Sequence, residues 1–261
     1  RLRPKATETE LHDALGLIIY TNDLEHQLSV GTSYWDCFKG FELRRTEIAC
    51  MVFAGQIFTG LNFAYNSTYF FQQIGLDPTT TYHLNVGGTG MGLFATIMCW
   101  IFVMPYVGRR TAYLWGIFVM TILLMLIGGL NKKTENDSVA MAQAVLALIW
   151  TFVFQLSSGQ LGWAIPAEIG STRLRQKAVC LARNAYAIAN IVSGVLQPYF
   201  MNPTEWNLKG YTGFIWGGTS FFMFIWTYFR LPETKDRIFE ELDLLFTKGV
   251  PAHKFSTYNI E

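Results

Sequence analysis

Residues 111–131 read TAYLWGIFVMTILLMLIGGLN and contain no charged side chain from end to end. A helix needs about 20 such residues to cross a hydrocarbon core about 30 Å thick. Five further windows of the same kind surround it: 48–76 and 84–108 before it, then 138–167, 184–203 and 210–229. A soluble helical protein can bury one such segment, but six in 261 residues leave too little polar surface to cover them. The fold class expected is an all-α membrane protein of six transmembrane helices.

Composition agrees with that reading. Only 15% of the residues are Asp, Glu, Lys or Arg, against about 25% in soluble domains. The basic residues are unevenly placed. Lys39, Arg44 and Arg45, then Arg109 and Arg110, then Arg173, Arg175, Lys177 and Arg183, then Arg230, Lys235 and Arg237 fall in alternate connections, while Lys132, Lys133 and Lys209 fall in the others. Lys and Arg near helix ends stay on the cytoplasmic side, so both ends of the chain are expected in the cytoplasm. The net charge of +1 hides this sidedness and gives no reason to expect a nucleic-acid partner. None of Cys37, Cys50, Cys99 and Cys180 falls in an outward loop, so no disulfide is expected. The chain starts at Arg1 rather than Met, with no leader pattern, and reads as a fragment.

Three regions follow: a polar cytoplasmic linker over 1–45 with a helical stretch over 9–28, a bundle over 46–231, and a cytoplasmic tail over 232–261. In the tail, Ile238, Leu242 and Leu245 share one face of a helix expected over 236–246, with Glu240, Glu241 and Asp243 turned away.

The spans are not equivalent. The third and sixth show no polar stripe and read as lipid-facing scaffold. The other four carry polar residues at steps of three and four: Gln56, Thr59, Asn62 and Asn66; Asn85, Thr89, Gly92 and Thr96; Thr151, Gln155, Ser158 and Gly162; Tyr186, Asn190, Ser193 and Gln197. Such an edge is unfavourable in hydrocarbon unless it meets protein or water. Two striped spans and one greasy span, twice over, is a three-plus-three pattern of the kind found in transporter halves.

These edges hold amides, hydroxyls and rings, with no ionisable group expected in the membrane, which suits a neutral polyhydroxylated solute. An ion path would call for carboxylates or rings of carbonyls. Helix packing also uses small polar residues, and Gly87-Gly88-Thr89-Gly90 fits that role. Gly159, Gly162 and Pro166 close together in the fourth span make it either a gate or a static kink. His12, His26, His83 and His253 lie outside the expected spans, and no nucleophile elbow or metal-ligand spacing occurs. No catalysis and no cofactor are expected.

Specific strings add a resemblance. Val107-Gly108-Arg109-Arg110, Pro166-Ala167-Glu168-Ile169 with Arg173-Leu174-Arg175-Gln176-Lys177-Ala178, and Pro232-Glu233-Thr234-Lys235 together resemble, in order and spacing, the second half of the sugar porter family of the major facilitator superfamily. Ser33-Tyr34-Trp35-Asp36-Cys37-Phe38, Leu43-Arg44-Arg45-Thr46-Glu47-Ile48 and the tail Phe239-Glu240-Glu241-Leu242-Asp243-Leu244-Leu245-Phe246 look like fungal α-glucoside (maltose-type) permeases.

The resemblance implies a central sugar site, alternating access, and a first half outside this chain as partner. It matches Gln56, Trp163 and Asn190 to sugar-site positions, and with Asn62, Tyr65 and Asn66 of the first span, where the family's Gly-x-Asn spacing reaches Asn62 only after a one-residue shift, these are the candidate sugar contacts. It makes Arg109, Glu168, Arg175 and Glu233 the candidate cytoplasmic ion network, paired as Arg109 with Glu168 and Arg175 with Glu233, beside Gly159 as the candidate gate residue of the fourth span. Departures are visible too: a family Gln-Gln pair reads Gly55-Gln56, and a family asparagine of the second span aligns near Leu93. That implies a substrate preference other than the common hexose. Proton symport, facilitated diffusion and a non-transporting sugar sensor all stay open, in a membrane expected to be the plasma membrane.

Overall fold

The computed structural model describes residues 12, 15, 16, 19, 20, 33–133, 137–171, 173–235, 237 and 239–255. The helix expected over 9–28 therefore lies largely outside the described residues. Before the first span, a capping box closes a short 3-10 turn, Tyr34–Phe38, with the Ser33 side chain and Asp36 exchanging bonds to each other's backbone. The Ser33 amide, with Lys39 alongside, holds the Asp36 carboxyl below its usual range.

The first span is three helices in series: α1 (Gly40–Phe58), α2 (Leu61–Tyr65) and α3 (Ser67–Gln73). Thr59 turns its hydroxyl back to the Gln56 carbonyl at 2.9 Å, and Gly60 takes φ +96°, a left-handed angle that glycine tolerates. The single long helix expected over 48–76 is thus broken at two points. Asp77 then caps α4 (Pro78–Met98), with proline in the first turn, where its missing N–H does no harm. The expected start at residue 84 comes late by about a turn and a half, so exposed His83 sits on α4. A π turn, Cys99–Val103, continues α4 into Met104–Tyr106. Pro105 explains it, because its ring would clash with the carbonyl four residues back in a tight helix.

The remaining elements are α5 (Arg109–Leu130), α6 (Asp137–Leu156), α7 (Ser158–Ile169), α8 (Arg175–Met201), α9 (Thr212–Arg230) and the tail helix α10 (Phe239–Thr247). The fourth span breaks at Ser157 (φ −126°, ψ −92°), whose hydroxyl bonds to the Val153 carbonyl at 2.7 Å. Pro166, expected to mark the bend, lies inside α7 instead.

Among the described residues, five segments are long and apolar enough to cross a membrane: 40–65, 78–106, 109–130, 138–169 and 175–201. The sixth expected span corresponds to α9, which is 19 residues long but diluted by Gly, Thr, Trp and Tyr.

The bundle is organised by pairings of α1 with α8, α5 with α9 and α4 with α6, with α5 against α6 and α1 against α7 nearly as extensive as the last. In span numbers the first three pairings are first with fifth, third with sixth, and second with fourth. Exchanging spans one to three with spans four to six maps these three onto themselves, as two related three-helix units require. The two broken spans, first and fourth, are also exchanged.

The third span is less a lipid-facing strut than expected. Tyr113, Ile117, Met120, Leu124 and Ile127 are fully buried, while Trp115, Ile122 and Leu126 face out. Thr121 and Ser220 join α5 to α9 through their hydroxyls at 2.8 Å. Without a hydrophobic drive between helices in lipid, such contacts and close fit do the holding.

Candidate functional site

The second and fourth spans bring much of their polar edges to one cavity of about 400 Å³, between α2, α3, α4 and α6, to which the first span adds Tyr65 and Ser67 rather than its own polar edge. Asn85, Thr89 and Thr96 of α4 line it, with Thr151 and Gln155 of α6 and Tyr65 of α2; no charged side chain does. The hydroxyls are tied down by their own helices: Thr89 to the Asn85 carbonyl, Thr96 to the Gly92 carbonyl and Thr151 to the Ala147 carbonyl, each at 3.0 Å. Asn85 bonds to the Thr68 hydroxyl across to α3.

Two donors stand out. Gln160 donates to Gln155 Oε1 at 3.4 Å, which leaves the Gln155 NH₂ group as a donor on the cavity wall. Trp150 also lines the cavity, stacked on Phe154 at 5.2 Å, and its buried Nε1 has no hydrogen-bond partner. A buried donor left unpaired costs about 1–3 kcal/mol. Leu93, about three-quarters of the way along α4, adds an apolar wall to the same space.

The sequence-based candidates do not all meet there. Tyr65 lines the cavity. Gln56 lies in α1, 4% exposed, with its Nε2 unpaired and pressed against Gly162 of α7. A Cβ at Gly162 would sit 2.8 Å from Gln56 Cδ, so only glycine lets the amide lie where it does. Asn62 is buried with its Nδ2 unpaired. Asn66 bonds through Nδ2 to the Asn62 carbonyl at 2.8 Å and borders a different space, with Gln197 and Asn202. Asn190 is half-buried on α8.

Trp163 is exposed on one side and meets Phe53 edge-on at 5.2 Å. Arg183 lies over its ring at 4.7 Å and over Tyr186 at 4.5 Å. Arg183 was counted above with the cytoplasmic loop; α8 begins at Arg175 and carries it two turns into the helix. Sequence reasoning missed it because basic residues before a charge-free window look alike. Its spacing of three residues from Tyr186 was the available signal. Ser193 and Gln197, counted in the fifth polar edge, turn away instead. Gln197 accepts from Trp216 Nε1 at 2.7 Å in the contact with α9.

At the other end of the bundle, Arg109 Nε and Glu168 Oε1 form an ion pair at 3.2 Å. Thr234 donates to the second oxygen of Glu168 at 2.6 Å, and Arg109 also reaches the Met104 carbonyl at 3.1 Å. Glu233 does not take Arg175 as its visible partner. Its carboxylate accepts from the backbone amide of Arg110 at 3.4 Å, at the start of α5, where the exposed amides of a helix favour an anion. Arg175 packs against Gly170. Gly159 is the second residue of α7, directly after the break at Ser157.

The model of the family described as "Sugar (and other) transporter" matches residues 9–246. The chain belongs to that family. Among its relatives, the maltose permease MAL31 of Saccharomyces cerevisiae is 34% identical over 263 residues, covering 100% of this chain and 42% of that protein. A general alpha-glucoside permease of the same yeast is 33% identical over 225 residues, covering 86% of this chain and 36% of its own length. The chain thus spans less than half the length of these curated relatives. The structure of the major facilitator superfamily proton:xylose symporter XylE, bound to 6-bromo-6-deoxy-D-glucose, superposes with a TM-score of 0.74 at 22% identity. That match covers 94% of this chain and 50% of XylE, and it shows the fold: one half of a major-facilitator bundle. The family and the apolar helices make this an integral membrane protein.

Proposed function

We propose that this chain forms the C-terminal half of a transporter that moves a neutral sugar, an α-glucoside such as maltose, across the plasma membrane by alternating access. The observation that carries the reading is the cavity of about 400 Å³ in which three spans present amides, hydroxyls and aromatic rings without a single charge. Amides can pair with adjacent hydroxyls of a pyranose, and ring faces can cover its C–H surface.

Gln56, Asn62, Tyr65, Trp163 and Asn190 are the proposed sugar contacts, with Asn66 toward the outer end of the route. Leu93, in place of a polar family residue, fits a preference other than the common hexose. The Arg109–Glu168 pair is read as a latch that holds one end of the bundle closed, with Gly159 beside the hinge of the fourth span and Arg175 and Glu233 in the surrounding charge cluster. Residues 1–45 would link the two halves and 232–261 would form the tail, both in the cytoplasm. The remaining length of the relatives would supply the other half and any acid that carries a proton. The test is uptake of radiolabelled maltose, glucose and lactose by the full-length protein at two external pH values. Saturable maltose uptake is expected, and uptake of none of the three would refute the reading.

A further inference from the structure

A second cavity, of about 360 Å³, lies between α3 and the far end of α8, away from the Arg109–Glu168 pair, and is lined by Asn66, Tyr69, Gln197, Pro198, Met201 and Asn202. Its key residue is Gln197, only 1% exposed. Trp216 donates to Gln197 Oε1 at 2.7 Å, which fixes which end of the amide faces which way. The NH₂ group is thereby turned toward Met201, whose thioether sulfur at 3.2 Å is its acceptor. A thioether is a weak acceptor. A buried amide donor is therefore oriented by one strong bond and held by one poor one, at the wall of a cavity.

The other walls complement it. Asn66 commits its Nδ2 to the Asn62 carbonyl, which leaves Oδ1 to accept. Tyr69 contributes a partly exposed ring and hydroxyl, and Asn202 a second amide at the end of α8. Donor, acceptor and ring in one uncharged pocket is the inventory that suits a sugar ring. Asn66 directly follows Tyr65, which lines the inner cavity, so the two spaces flank the same turn of backbone. Consecutive Cα atoms are about 3.8 Å apart.

We infer that this outer cavity is a second sugar-binding position, built around the NH₂ group of Gln197, that receives one ring of an α-linked oligosaccharide while another ring occupies the inner cavity. The inference rests on the proposed function. A monosaccharide would use the inner cavity alone, and glucosides of two or more rings would use both.

The experiment titrates glucose, maltose and maltotriose into the purified full-length protein by calorimetry, with uptake measured alongside, for the wild type, Gln197→Met and Tyr69→Ala. Gln197→Met removes the donor at similar size. Tyr69→Ala removes a side chain at the cavity edge and keeps the test alive if the buried substitution fails to fold. The expected result is a rise of about tenfold in the Kd for maltotriose in both variants, with glucose within about twofold of wild type. An unchanged maltotriose Kd, or equal weakening for all three sugars, overturns the inference while wild-type uptake stands. Absence of binding and uptake of every sugar by the wild type overturns this inference and the proposed function together.

Discussion

Gly162→Ala tests whether Gln56 touches the sugar, because the three atoms nearest the new Cβ all belong to Gln56. The new methyl group would lie 2.8 Å from Gln56 Cδ and 3.1 Å from Cγ, inside van der Waals contact, with its nearest neighbour the Gln56 Nε2. α1 and α7 are packed together along this stretch, so the amide has to give way rather than the backbones. Overpacking of this kind destabilises by about 1–3 kcal/mol. If the displaced amide makes one hydrogen bond to the sugar, worth about 0.5–1.5 kcal/mol net, half-saturation should rise about two- to twelvefold.

Uptake against sugar concentration in the full-length protein reads this directly, with surface expression as the normaliser. Gly218→Ala is the control, since a Cβ there meets nothing within 4 Å. The sharper test is the pair Gln56→Ala with Gly162→Ala. With the long side chain gone there is nothing to displace, so Gly162→Ala should add less than about twofold on that background, a non-additivity expected of touching residues. Half-saturation of Gly162→Ala within twofold of wild type would refute the assignment of Gln56. Full additivity of the two changes would refute the proposed clash.

Three other outcomes are expected. Glu168→Arg should reduce uptake strongly, and adding Arg109→Glu should restore part of it, because the pair is about three-quarters buried and made at 3.2 Å; no restoration counts against a latch. Arg183→Met should raise the sugar half-saturation about two- to fivefold by freeing the Trp163 and Tyr186 faces from a cation–π contact of about 0.5–1 kcal/mol, and Arg183→Lys should be milder; equal effects would argue for a role other than holding the rings. Arg45→Met should loosen the tail. Arg45 is 1% exposed, pairs with Asp243 of α10 at 2.5 Å and stacks 4.5 Å over Phe246, so limited proteolysis should cut the tail faster in the variant, and unchanged cleavage would show that Arg44, bonded to the Val250 carbonyl at 2.8 Å, suffices.

The spans were legible because the absence of charge is a one-dimensional signal that needs no neighbour to interpret. Where helices start was less so. α8 begins at Arg175, ahead of its charge-free window, since a helix can run on through the headgroup region with charged residues on it, and α4 begins at Pro78, through the polar but uncharged residues 78–83. Arg183 was misplaced for that reason. The pairing of Arg109 with Glu168 joins residues 59 positions apart, and the family strings pointed to it where no local pattern could. Glu233 went to a backbone amide instead, a partner that side-chain charge counting does not consider.

Periodicity tells which face a residue occupies, and no more than that. Asn190 and Gln197 are seven residues apart, about two helical turns, and so share a face of α8. Yet Gln197 is bonded to Trp216 of α9, because the neighbour of a face changes along a helix that tilts across others. What decides the neighbours is the exchange symmetry of the pairings. It joins the first span to the fifth and the fourth to the second, and it makes the first and fourth the only spans that each meet a striped partner while being broken themselves, at Thr59–Gly60 and at Ser157. A break in a membrane helix is tolerated where the freed backbone lies against protein or a cavity. Both breaks fall in spans that border the polar cavity: α2 and α3 follow the first break and line it, and α6, which also lines it, ends at the second.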